Sequence, residues 1–153
     1  MMNLCCEVLN TLRGRTLVTA ESCTGGGIGV ALTAVSGSSA VYKGGVICYT
    51  NWVKEHILGV APELLSDCGA VSAQVAEAMA VGARLKLAAD VSISVTGLAG
   101  PGGDEYGNPV GTVYIGCSTE SVTAVEEYHF TGDRESVRRQ SVEAALKLVL
   151  KTV

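Results

Sequence analysis

Apolar positions recur at helical spacing near the start of the chain. Leu4, Val8 and Leu12 predict a short helix over residues 2–13, closed by Gly14. Leu17 to Ala20 reads as a short buried strand. A glycine cluster (Gly25, Gly26, Gly27, Gly29) then leads into an apolar helix to about Val35, followed by a turn at Gly37, Ser38 and Ser39. Val41 to Tyr49 is rich in Val, Ile and Tyr and predicts a strand. Asn51 is a good N-cap for a short helix through Leu58. Pro62 suits the first turn of another helix. Ser72 is the expected N-cap of a longer one to about Ala88, with Val75, Met79, Gly82 and Leu85 on one face.

The second half changes period. Val91 to Thr96 predicts a strand, and a loop rich in Gly and Pro runs from Gly97 to Pro109. Val110 to Cys117 and Thr123 to Thr131 are strands close enough to form an antiparallel hairpin. Asp133 caps a last helix whose buried stripe is Val142, Ala145, Leu146 and Val149, with Glu143 four residues before Lys147. Strands and helices alternate early and a hairpin comes late. The expected fold is therefore α/β, with helices on both faces of a mixed sheet.

Composition narrows the function. The 153 residues are the size of one domain, and residues 1–153 are read as a single unit. A chain this long hides roughly 70% of its extended surface and builds a core without staples. Hydrophobic residues are 48% and charged residues 17%, a globular balance. The net charge of −4 argues against a basic nucleic-acid surface or a polybasic membrane anchor, and 5% aromatics are too few to stack bases. Six scattered cysteines form no CxxC pair, and only two histidines accompany them, so a zinc cluster is unsupported. No signal peptide opens the chain and no apolar run approaches the ~20 residues of a membrane span. The expectation is a cytoplasmic protein with reduced thiols, no metal and no cofactor.

Three segments could carry chemistry. Glu21-Ser22-Cys23-Thr24-Gly25-Gly26-Gly27 sits at a strand-to-helix junction. Helix-start N–H groups lack internal partners, and glycines let a ligand approach the backbone. A serine there suits a phosphate or an acyl-transfer oxyanion. A capped helix packed closely on the sheet reads equally well. The segment is not a P-loop, and GxGxxG fails because Val30 stands where the third glycine belongs. In Tyr49-Thr50-Asn51-Trp52-Val53-Lys54, Asn51 and Lys54 share a helix face. A lysine whose charged form is disfavoured serves as a general base, whereas a lone lysine is ordinarily a solvated surface charge. The loop Thr96-Gly97-Leu98-Ala99-Gly100-Pro101-Gly102-Gly103 follows a strand and is placed either to wrap a ligand or simply to connect. Arg138 and Arg139 are candidate anion binders or ordinary surface charges. His56 and His129 lack a partner motif, which disfavours a Ser-His-Asp triad.

Taken in order, these segments resemble the CinA C-terminal domain family, whose members include nicotinamide mononucleotide (NMN) amidohydrolases. The resemblance runs through Thr19-Ala20-Glu21-Ser22-Cys23-Thr24-Gly25-Gly26, Gly37-Ser38-Ser39, Tyr49 with Asn51 and Lys54, and Gly69-Ala70-Val71-Ser72. It continues through Gly97 with Ala99-Gly100-Pro101, Val110-Gly111-Thr112-Val113, Gly132-Asp133-Arg134 and Val137-Arg138-Arg139-Gln140. Asp104 to Asn108 matches less clearly. The resemblance implies a three-layer α/β/α sandwich with a mixed, mostly parallel sheet. It implies hydrolysis of the NMN carboxamide to nicotinate mononucleotide and ammonia, with Ser22 and Lys54 as the Ser–Lys pair and Tyr49 beside them. Many members carry a further N-terminal domain with a metal-dependent pyrophosphatase. This chain starts at the C-terminal type of domain, so neither that activity nor its metal is expected.

On that reading Ser22 attacks the carboxamide carbon and neutral Lys54 takes its proton, through an acyl-enzyme. Backbone N–H groups around Cys23, Thr24, Gly25 and Gly26 hold the oxyanion. Burial, the cationic ring of bound NMN or the start of a helix would lower the Lys54 pKa. Tyr49 orients substrate or relays a proton. Asn51, Thr96, Gly97, Gly100, Arg138 and Arg139 complete the expected substrate contacts, with the phosphate on the loop or the arginines. A homodimer or higher homo-oligomer is the default expectation, with no nucleic-acid or membrane partner. Three other readings stay open: a non-catalytic nucleotide-binding or protein-interaction paralogue, an amidohydrolase for another pyridine nucleotide or small amide, and a partner protein in DNA uptake or repair.

Overall fold

A computed structural model describes residues 1–153. The elements are α1 (Met2–Thr11), β1 (Leu17–Glu21), α2 (Gly27–Thr33), a 3-10 turn (Ser38–Ala40), β2 (Tyr42–Ile47), α3 (Asn51–His56) and α4 (Pro62–Cys68). They continue as α5 (Ala73–Lys86), β3 (Val91–Gly97), β4 (Thr112–Ser118), β5 (Thr123–His129) and α6 (Arg134–Thr152). One sheet has the order β2-β1-β3-β4-β5. β1 pairs in parallel with β2 and β3, and β4 pairs antiparallel with β3 and β5. Four strands thus run one way and only β4 runs against them.

Strand alternation splits the core into two layers. Leu17 joins Val91, Ile93 and Val95 of β3 and Val113, Ile115 and Cys117 of β4 on the face covered by α1, α2 and α6. Val18 and Ala20 face the other way, toward Leu65 of α4 and Val75, Met79 and Ala83 of α5. The result is the three-layer α/β/α sandwich expected from the pattern. The caps at Ser72 and Asp133 form as expected, each side chain accepting an N–H bond, from Val75 and Ser136. The Glu143–Lys147 pair closes at 2.6 Å.

Three local expectations are corrected. Thr50, not Asn51, is the N-cap of α3, and its side chain makes no capping bond. Leu85 is exposed, and the buried face of α5 is Val75, Ala76, Met79, Ala80 and Ala83. At about 100° per residue, Leu85 falls on the opposite side of the helix from that face and therefore points to solvent. β4 begins at Thr112 rather than Val110, because Gly111 takes a positive φ of +93° and donates its N–H to the Leu98 carbonyl.

The close packing of α5 also uses polar groups. Ser92 and Ser94 project from β3 toward α5 and are fully buried. Their hydroxyls donate to the carbonyls of Ala80 and Ala76, each at 2.6 Å. Thr96 continues the row and donates to the Ala70 carbonyl at 2.7 Å. A polar face that would ordinarily be solvated is here satisfied against helix and loop backbone.

Gly82 sits where α5 crosses the residues after α3, and a Cβ there would collide with the Leu58 carbonyl oxygen. Helix propensity alone favours Gly→Ala by about 1 kcal/mol. Overpacking against rigid backbone costs about 1–3 kcal/mol and opposes it. Gly82→Ala is therefore expected to lower the stability measured by urea unfolding. An unchanged or raised stability would contradict this packing.

Candidate active site

One step of strand alternation divides two neighbouring residues between two jobs. At the carboxyl end of β1, Glu21 points with Leu17 and Thr19 toward α2, and Ser22 points the other way, toward α3. The Ser22 N–H donates to the Val95 carbonyl at 3.0 Å, which extends the β1–β3 ladder to the serine itself. Its backbone is thereby fixed.

Lys54 of α3 meets Ser22. Its Nζ lies 3.1 Å from Ser22 Oγ and donates to the Cys48 carbonyl at 2.8 Å. The side chain is only 2% exposed, and no carboxylate pairs with it. Burial without a counter-charge lowers the Lys54 pKa below the ordinary lysine value, with the nearby Cys48 and Cys23 opposing in part. Lys54 stands in the last turn of α3, so the start of its own helix contributes nothing to that lowering.

The turn after Ser22 is held from two sides. The Glu21 carboxylate is 1% exposed. It accepts the Thr24 hydroxyl at 2.7 Å and the N–H groups of Ile28 and Gly29, each at 3.0 Å. A strand residue thus occupies the start of α2, where Gly26 is the cap residue with a positive φ of +96°. Arg138 of α6 donates Nε–H to the Cys23 carbonyl at 3.0 Å and Nη2–H to the Thr24 carbonyl at 3.1 Å. The N–H groups of Cys23 and Thr24 have no acceptor in the protein. They are free donors next to Ser22, as an oxyanion site requires.

A cleft of about 370 Å³ opens over Ser22 at the carboxyl ends of the parallel strands. Cys23, Tyr49, Asn51, Lys54, Thr96, Gly97 and Gly100 line it as the sequence suggested. Ala70, Val71, Leu98, Ala99, Gly102 and Arg134 complete the wall. No acidic side chain lines it, and its cations are Lys54 and Arg134. The loop wall is anchored: Asp104 accepts from the backbone of Tyr106 and Asn108 and from Asn108 Nδ2, and Tyr106 donates its hydroxyl to the Ser66 carbonyl.

The arginine expectations need correction. Arg138 spends its guanidinium on the chain's own carbonyls, and Arg139 is exposed outside the cleft. Arg134 borders the cleft instead, donating to the Gly100 carbonyl at 2.7 Å and to Tyr49 Oη at 3.2 Å. Its position was readable from topology. β5 runs parallel to β1, so the helix that follows it must start at the same end of the sheet. Gly25 and Gly26 lie behind the Ser22 turn rather than in the cleft wall, and Thr24 is buried within that turn. Tyr49 is 59% exposed at the cleft mouth and makes no hydrogen bond to Ser22 or Lys54.

Fold and site together define an α/β domain with a buried serine–lysine pair at the carboxyl edge of its sheet. The chain belongs to the CinA C-terminal domain family, whose sequence model matches residues 2–153. A CinA-like protein of Acidobacterium capsulatum is 47% identical over 138 residues, covering 90% of this chain and 33% of its own length. One from Synechococcus sp. strain RCC307 is 49% identical over 152 residues, covering 96% of this chain and 36% of the relative. The chain thus spans about a third of the length of these curated relatives. A CinA superfamily crystal structure from Escherichia coli superposes with a TM-score of 0.97 at 38% identity, covering 99% of this chain and 90% of that one. A competence/damage inducible protein from Agrobacterium tumefaciens superposes with a TM-score of 0.95 at 38% identity, covering 98% and 93%. No helix is long and apolar enough to cross a membrane.

Cys23 stands next to Ser22 in the cleft wall and carries a second nucleophile type. Burial pushes its thiol up to about 11, and that of Cys48 likewise to about 11. Neither forms much thiolate near neutrality. Iodoacetamide at pH 8 is expected to alkylate the half-buried Cys6 and Cys68 first and to spare Cys23 and Cys48, as read by peptide mass spectrometry. Rapid labelling of Cys23 would contradict the site as described.

Proposed function

We propose that this domain hydrolyses the carboxamide of nicotinamide mononucleotide to nicotinate mononucleotide and ammonia. The observation that carries the reading is the 3.1 Å approach of buried Lys54 Nζ to Ser22 Oγ at the floor of the cleft. An uncompensated buried amine is neutral more readily than a solvated one, and a neutral amine at that distance is a general base.

Ser22 Oγ attacks the carboxamide carbon while its proton passes to Lys54. The tetrahedral oxyanion takes hydrogen bonds from the free N–H groups of Cys23 and Thr24. Protonated Lys54 then gives its proton to the departing amine, which leaves as ammonia, and an ester to Ser22 remains. Water attacks that ester, again losing its proton to Lys54, and the acid and free Ser22 are released. The absence of acidic groups from the cleft wall suits an anionic substrate. Arg134 uses two of its five N–H donors within the protein and keeps three for a phosphate. Tyr49 and Asn51 frame the mouth, where they meet the substrate rather than the reacting atoms.

Ammonia release from NMN by the purified protein tests this directly, with EDTA present. Ser22→Ala and Lys54→Ala are expected to lose at least about 10³-fold in kcat, and Cys23→Ala to keep most of it. Activity by Ser22→Ala with loss in Cys23→Ala would overturn the assignment. The pH dependence has a definite sign. Lys54 must be neutral, so kcat rises with pH through the depressed Lys54 pKa and levels off below the ordinary lysine range. A binding-only paralogue would instead show no turnover while NMN raised its melting temperature.

A further inference from the structure

Arg138 lies outside the cleft, yet it is the one side chain that reaches the carbonyls behind the nucleophile. It is the sole donor to the Cys23 carbonyl, whereas the Thr24 carbonyl also receives the Gly27 N–H at 3.0 Å. A trans peptide unit points its N–H opposite to its C=O. Holding the Cys23 carbonyl toward α6 therefore turns the Thr24 N–H away from α6. The Ser22 carbonyl is held by the Gly25 N–H at 3.0 Å, which fixes the Cys23 N–H in the same manner. Without Arg138, the Cys23 carbonyl loses its only hydrogen bond, and the peptide plane is left to the Thr24 hydroxyl's bond to Glu21 and the turn bonds on either side. A flip of that unit would present a carbonyl oxygen where the oxyanion needs a donor.

The sequence around the turn is shaped for this grip. Gly25 has a positive φ of +58°, and a Cβ there would stand 3.4 Å from Arg138 Nη2. The turn thus runs close beneath the guanidinium. Glu21 meanwhile occupies the start of α2, so the amides of Ile28 and Gly29 are already taken. The free donors beside Ser22 are those of Cys23 and Thr24, and only one of the two peptide units is held by backbone alone.

We propose that Arg138 is a positioning residue for the oxyanion site: it fixes the peptide plane between Cys23 and Thr24 and touches no substrate. The inference rests on Ser22 being the nucleophile, as argued under the proposed function. Lysine cannot replace it fully, because one ammonium lacks the planar fork that spans two carbonyls.

The test is the rate at which a fluorophosphonate labels Ser22, followed by intact-protein mass spectrometry and peptide mapping. In that reaction Ser22 Oγ bonds to phosphorus, fluoride leaves and the serine proton passes to Lys54, so no particular amide substrate is assumed. Loss of one oxyanion donor typically costs 10²–10³ in rate, and Arg138→Met is expected to label about 30-fold or more slowly. Arg138→Lys should recover part of the rate. Added ethylguanidinium should restore Arg138→Met several-fold, while the pH midpoint of labelling stays at that of the parent. Labelling of Arg138→Met at the parent rate would overturn the inference. So would a slow rate in Arg138→Met that ethylguanidinium does not restore or, if that variant fails to fold, labelling of Arg138→Lys at the parent rate. A parent that never labels at Ser22 would remove the nucleophile assignment and this inference together. A parent that labels but does not hydrolyse NMN would remove only the substrate.

Discussion

Lys54 carries its amine into the protein interior to within 3.1 Å of Ser22 Oγ, and no carboxylate lies beside it. A buried charge without a partner is costly, and the group relieves the cost by giving up its proton more easily. The Cys48 carbonyl accepts from the amine at 2.8 Å and fixes its direction without supplying a negative charge. A carboxylate in that place would keep the lysine charged and end its use as a base. The pair is therefore defined as much by what the fold keeps out of it as by what it brings together.

Everything around the pair works to hold the serine still. The ladder from β1 to β3 continues through Ser22, Glu21 fastens the start of α2, and Arg138 fastens the turn between them. Glu21 and Ser22 are adjacent in sequence and opposite in direction. A strand offers that separation automatically, one residue to each face. The carboxylate is thus kept on the α2 side of the sheet, while the hydroxyl reaches the amine on the α3 side. The row of Ser92, Ser94 and Thr96 holds α5 and the Ala70 loop against the sheet by hydrogen bonds, and Ala70 in turn lines the cleft.

Much of this was legible in the sequence, for physical reasons that differ by residue. Hydrophobic period and cap residues placed every helix and strand, because Ser72 and Asp133 are strong local signals. Asn51 misled because Thr50 before it is also a capping residue type, and composition does not say at which of the two the helix begins. Leu85 misled because the buried face is centred on Ala76, Ala80 and Ala83, whose small side chains give a weak hydrophobic signal, so the sequence pattern draws the stripe round the wrong side of the helix. Val91 to Thr96 reads only as a strand, and the packing of α5 shows that its hydroxyls are buried and paired. At the site, the residues alone left Ser22 and Lys54 open, and the family resemblance paired them, because the burial of a lysine cannot be read from its place in the sequence. Arg134 was passed over for Arg138 and Arg139, because residue type suggests anion binding and only topology shows which arginine starts its helix at the strand ends.

The central claim is that folding lowers the Lys54 pKa, so that its ammonium gives up a proton more readily than an ordinary lysine's and a neutral amine stands beside Ser22. Its direct measure is the titration of Lys54 Nζ by nitrogen-15 NMR, with the resonance assigned by its absence in Lys54→Arg. The account predicts a midpoint clearly below the ordinary lysine value of about 10.4. A Lys54 midpoint at or above the ordinary value would mean that the amine stays charged where a base is needed, and would contradict the account.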